Sequence, residues 1–135
     1  MAWVRLKATS DGVIISKRRV NAAGSDGFSV PSMRKISSKF DTTFVMTPSG
    51  TRVTVTGPTA LSLNKWYHLA VVAGPRSNYI NLYLDGKLEI SSSSTWNDQS
   101  LPGNFEYFIG KAITPCSTCY FNGDIDEVYV FNATK

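Results

Sequence analysis

Apolar and polar residues alternate with a period of two along most of this chain. No stretch holds the i, i+3, i+4, i+7 spacing of an amphipathic helix for three turns. Successive side chains of a strand point to opposite faces, so such a sequence can bury its apolar half only by pairing strands into sheets and covering one face of each. The clearest case is INLYLDGKLEI, residues 80 to 90, in which Asp85-Gly86 divides two alternating runs. An Asp-Gly pair between such runs predicts a type I′ hairpin turn. Leu82 and Leu84 then share one face, and Leu88 and Ile90 are expected to continue it across the turn.

The same reading predicts strands over Ala2 to Lys7, Val13 to Arg18, Gly27 to Pro31, Lys35 to Phe40, Thr43 to Thr47, Arg52 to Thr56, Trp66 to Ala73, Tyr79 to Leu84, Lys87 to Ser92, Glu106 to Lys111 and Phe121 to Phe131. Turn clusters separate them, among them Gly57-Pro58. Short strands at a spacing of roughly 8 to 12 residues predict an antiparallel β-sandwich or jelly roll, not a parallel α/β sheet. With 135 residues, 42% hydrophobic and 18% charged, residues 1–135 have the composition of one domain with its own core. The serine run Ser91 to Ser94 reads as a strand end and loop, not a linker. In YFNGDIDEVYVFN the alternation slips, because Ile125 and Val128 fall on opposite faces of a regular strand. A β-bulge at Asp126-Glu127 restores it and is expected to turn Ile125, Val128 and Val130 inward.

The formal net charge is +4, too small for a chain devoted to a nucleic-acid backbone, which disfavours nucleic acid as a partner. The distribution is uneven. Residues 1–65 carry 10 Lys or Arg against 3 Asp, and residues 66–135 carry 4 against 7 acids. One reading is a solvated surface on which the two signs mingle after folding. The sharper one gathers Lys17, Arg18, Arg19, Arg34, Lys35 and Lys39 into a patch for an acidic polysaccharide. No apolar run approaches the roughly 20 residues of a membrane span, so no membrane partner is expected. Met1 stands directly before a strand-like segment without a signal-peptide pattern, which predicts a mature or excised piece if the natural protein is secreted.

Cys116 and Cys119 form a CxxC, a spacing shared by redox pairs, half zinc sites and tight local disulfides. His68 is the sole histidine and no helix N-terminus is in view, so a small disulfide in an oxidising compartment is the first expectation, with two inert thiols the second.

Four segments, AWVRLK, KWYHLAVV, INLYLDGKL, and FIGKA followed by YFNGDIDEVYVFN, together resemble the laminin-G-like and pentraxin-like jelly rolls of the concanavalin A-like lectin/glucanase superfamily. The resemblance implies two antiparallel sheets packed face to face and an extracellular or cell-surface binding or adhesion module within a larger secreted protein. Family domains usually carry a further strand before AWV. Here either that N-terminal strand is lacking, which leaves an edge open beside the first strand and predicts a homodimer, or the sheet is completed by another route.

The superfamily includes glucanases, whose active strand presents two glutamates around an aspartate, because a retaining glycosidase holds its two carboxyls about 5 to 5.5 Å apart. Asp124, Asp126 and Glu127 have the wrong types and spacing, so no catalytic residues and no required cofactor are expected. The resemblance admits calcium with Asp126 as one ligand, although the ion needs six to eight oxygens. His68 alternates with Trp66, Ala70 and Val72 and reads as a packed strand residue. Sugar binding needs an exposed aromatic face with polar neighbours. Trp3 and Trp66 are expected in the core, whereas Trp96 lies among small polar residues beside Asn97 and Asp98, where it either folds back as a lid over the core or serves as the ligand contact. The function expected is non-catalytic recognition of a glycan. The alternative is a protein partner or self-assembly through the basic face or an open sheet edge.

Overall fold

The computed structural model describes residues 1–19, 32–36, 39–46, 51–74, 79–93, 105–111 and 120–131. Among the described residues ten strands follow one another: β1 (Ala2–Leu6), β2 (Gly12–Arg19), β3 (Ser32–Ile36), β4 (Lys39–Met46), β5 (Thr51–Ala60), β6 (Trp66–Gly74), β7 (Tyr79–Leu84), β8 (Lys87–Ser92), β9 (Phe105–Ile109) and β10 (Gly123–Asp126). They form two antiparallel five-stranded sheets, ordered β10-β1-β6-β7-β8 and β5-β4-β3-β2-β9. The chain starts in the first sheet, builds four strands of the second, returns for β6 to β8, and then contributes one strand to each. The sandwich is all-β, as the alternation requires.

One buried cluster joins the sheets. Ala2, Val4, Leu6, Tyr67, Leu69, Ile80, Leu82 and Leu84 of the first meet Ile14, Ile15, Phe40 and Val55 of the second. Val4, Ile14, Leu69, Ile80 and Leu82 are fully enclosed. The phenol oxygen of buried Tyr67 accepts the Ser62 backbone N–H at 2.8 Å, which satisfies the one polar atom that this side chain brings inside. Glu89 of β8 reaches the second sheet, accepting from Thr59 N and Thr59 Oγ1 at 3.1 and 3.0 Å.

The hairpin of β7 and β8 turns where expected. Asp85 and Gly86 have φ of 49° and 77°, the positive pair that a type I′ turn needs. Beyond the turn the reading of Leu88 is overturned. The register shifts between Leu82, opposite Ile90, and Tyr83, opposite Leu88, so the extra residue Glu89 sends Leu88 to the outer face, where it is exposed. Ile90 still packs on the core.

Other boundaries also move. Ile36 pairs with Lys39, so the expected strand Lys35 to Phe40 is divided between β3 and β4. Gly57-Pro58 is not a turn but lies inside β5, an edge strand on which a missing N–H is tolerated and whose register with β4 is irregular there. The expected strand Gly27 to Pro31 lies outside the described residues.

At the C-terminal end β10 stops at Asp126. Trp3 faces Asp126, and Met1 exchanges two hydrogen bonds with Tyr129 at 2.8 and 2.9 Å, so Ala2 stands against both Glu127 and Val128. That two-against-one count is the expected bulge, with Glu127 in the left-handed region at φ 46°. Ile125 and Val128 pack on the core, but Val130 is exposed, because the chain leaves the sheet before a further inward position arises. The expected open edge beside the first strand is also corrected: β1 lies between β10 and β6, and the edge strand is β10.

Candidate functional site

β1 presents two unlike faces. Ala2, Val4 and Leu6 point into the sandwich, which sends Trp3, Arg5 and Lys7 outward. On β6 Tyr67 and Leu69 point in, and Trp66 and His68 point out. The register sets Trp3 opposite His68 and Arg5 opposite Trp66, so the four residues form a block on the outer face of the first sheet.

Trp3 and Trp66 are therefore not core residues. They are 38% and 37% exposed, against 0% for Ala2 and Val4 beside Trp3. The physical reason is the phase of the alternation: Trp3 must share a face with Arg5 and Lys7. His68 likewise lies on the outer face, with its ring 5.3 Å from that of Trp3 and tilted by 58°. The Arg5 guanidinium lies 5.1 Å from the centre of the Trp66 ring, within cation–π range.

Carboxylates border the block. Asp124 of β10, opposite Arg5, accepts from Arg5 Nε and Lys7 Nζ, each at 2.6 Å, and lies 2.5 Å from Arg5 Nη2. Those hydrogen bonds, from Lys7 first and Arg5 next, hold its carboxyl below the usual aspartate range. Asp126, opposite Trp3, accepts the Glu127 N–H at 2.8 Å. On the far side Asp85 accepts the His68 N–H and returns its own N–H to the His68 carbonyl, both at 2.8 Å. These bonds fix the turn against the histidine. Trp3, Trp66, His68, Asp85 and Gly86 line an open depression on the sheet surface.

This arrangement offers aromatic faces and hydrogen-bonding oxygens. An aspartate held ionised by two cations is a poor general acid. Among the described residues no three His, Cys, Asp or Glu side chains converge in a way that could hold a metal, and near Asp126 the Asp124 carboxylate is already engaged by Arg5 and Lys7.

The other expected positions are elsewhere. Arg18 and Arg19 on β2 and Arg34 and Lys35 on β3 belong to the second sheet. By register Arg18 stands opposite Glu106 and Arg34 opposite Asp41. Lys17, opposite Tyr107, lies 5.6 Å from its ring. Trp96, Asn97, Asp98, Cys116 and Cys119 lie outside the described residues. Among the described residues no helix is long and apolar enough to cross a membrane.

A laminin G family model, described as concanavalin A-like lectin/glucanases superfamily, matches residues 1–135. No curated protein matches the chain.

Proposed function

Because the chain belongs to the laminin G-like family of the concanavalin A-like lectin/glucanase superfamily, we propose that it is a non-catalytic carbohydrate-recognition module. Members of this family commonly bind carbohydrate or protein, are typically non-catalytic, and typically work outside the cell. The reading places this chain among them as an adhesion or targeting part of a secreted or surface protein.

The observation that carries it is the exposure of Trp3 and Trp66 on one sheet face, beside His68 and Asp85. Two large indoles left partly in water supply the apolar faces on which a sugar ring stacks, with polar atoms beside them for its hydroxyls. Catalysis is disfavoured because the neighbouring Asp124 is tied to Arg5 and Lys7, and Asp126 to the Glu127 backbone.

A glycan-array screen with sulfated, uronic and neutral polysaccharides, run with calcium and with chelator, tests the reading, together with an assay for reducing sugar released from a β-glucan panel. Selective retention on the array with no sugar released is expected. A blank array would move the function to protein recognition or self-assembly, and released sugar would make the protein an enzyme.

A further inference from the structure

We infer that the ligand of the outer face of the first sheet is an uncharged glycan chain, laid across the Trp3 and Trp66 rings, and not an acidic one. The inference rests on the carbohydrate-recognition reading above and adds the site and the class of sugar.

Charge decides the class. The whole chain is basic at +4, and taken alone this invites a sulfated or uronic polymer. Around the tryptophans the side-chain charges have the opposite balance, Arg5 and Lys7 against Asp85, Asp124 and Asp126, and the Met1 ammonium at the end of β1 is held by the Tyr129 carbonyl at 2.8 Å. Both side-chain cations are already committed. Asp124 takes Arg5 through two nitrogens and Lys7 through its ammonium at 2.5 to 2.6 Å. Both Arg5 nitrogens meet the oxygen Oδ2 and Lys7 meets Oδ1, and such charge-assisted hydrogen bonds are stronger than neutral ones. An anionic sugar would have to displace Asp124 while approaching Asp126 on one side of Trp3 and Asp85 on the other side of His68. A neutral sugar meets no such opposition. Its hydroxyls find acceptors in those same carboxylates. Lys65 does not alter the balance, since its ammonium lies 4.9 Å from the ring of Tyr67, which is buried in the core.

Geometry decides the length. Trp3 faces His68 and Trp66 faces Arg5, so the two tryptophans are diagonal neighbours on adjacent strands, about 7–8 Å apart by the usual spacing of such pairs. Side chains carried at positions separated on that scale can address more than one sugar residue, and the depression they line is open. The site therefore accepts the interior of a chain as well as its end, and affinity should rise from monosaccharide to short oligosaccharide.

Calorimetric titration of the full chain with neutral gluco-, manno- and xylo-oligosaccharides of increasing length, beside heparin and alginate fragments, tests this. The variants are Trp3→Ala, Trp66→Ala, their phenylalanine counterparts and Asp124→Asn, each checked by far-ultraviolet circular dichroism to be folded at the titration temperature. A neutral oligosaccharide should bind with little salt dependence. Either alanine variant should lose about tenfold or more in affinity, with partial recovery in the phenylalanine variant. Asp124→Asn should gain weak, salt-sensitive binding to heparin as Arg5 and Lys7 are released. Tight wild-type binding to heparin or alginate that depends on Trp3 and Trp66 would overturn the neutral class and leave carbohydrate recognition standing. Neutral binding indifferent to all four tryptophan variants would overturn the site. Failure to bind a sugar of either class would overturn both readings.

Discussion

Trp3 shares its strand face with Arg5 and Lys7 and turns its back on Ala2 and Val4. The sequence contains that assignment in full, since a period of two leaves no choice once one phase is buried. It is obscured by the general preference of large aromatic side chains for the interior, which here loses to two charged neighbours on the same face. The same phase sets Trp66 with His68. Asp124 is different: nothing in DIDEV tells that its carboxylate will meet Arg5 and Lys7, because those partners lie some 120 residues away along the chain. The contact carries a pH signature. Lys7 and Arg5 lower the folded-state pKa of Asp124 below its ordinary value of 3.8, so the ionised form stabilises the fold at higher pH. That contribution is fully present above 3.8 and is lost as the pH falls through the lower, folded-state value. Thermal unfolding of the wild type and Asp124→Asn should thus differ at neutral pH, and the two should converge once the pH is well below 3.8. A gap that persists unchanged into acid would mean that the ion pairs contribute nothing.

Among the elements, the hairpin of β7 and β8 is the most legible, because Asp85-Gly86 specifies its turn type by backbone chemistry alone. Its second strand is less so: Glu89 is drawn to Thr59 of the other sheet, the register slips, and Leu88 comes to face water. A contact between sheets is invisible to a pattern read within one strand. β10 shows the same division. Its bulge follows from the slip between Ile125 and Val128, but its short length is set by how far β1 runs beside it. Gly123 marks the tightest approach in this pair. A Cβ there would meet the Arg5 carbonyl oxygen and come within 2.7 Å of the Phe121 ring, and the backbone oxygen has little freedom to yield. At Gly86, with φ 77°, a Cβ meets nothing within 4 Å. Gly123→Ala should therefore lower stability by about 3 kcal/mol through overpacking. Gly86→Ala should cost only the left-handed backbone penalty of about 1–2 kcal/mol. Denaturant midpoints of the two variants check the order, and an equal loss would remove the steric account of Gly123.

At the scale of the whole molecule, two sheets share one buried cluster to which both contribute, with β1 held between β10 and β6. Neither sheet can keep its apolar face covered alone, so the described fold should unfold in one step. Tryptophan fluorescence and far-ultraviolet circular dichroism should give coincident transitions; two separated midpoints would show that the sheets melt independently. The alternation, the turn pairs and the absence of helical spacing determined by themselves that the chain is an antiparallel sandwich, where most strands lie, and that the register slips near Asp126. These are properties of neighbours in sequence, and the backbone enforces them locally. Which strands adjoin was decided only by the tertiary structure, and with it the meeting of Trp3, His68, Arg5 and Trp66 on one face and the pairing of Arg5 and Lys7 with Asp124. Those contacts join residues far apart along the chain, and they form only when closure of the common core fixes the order and register of the strands.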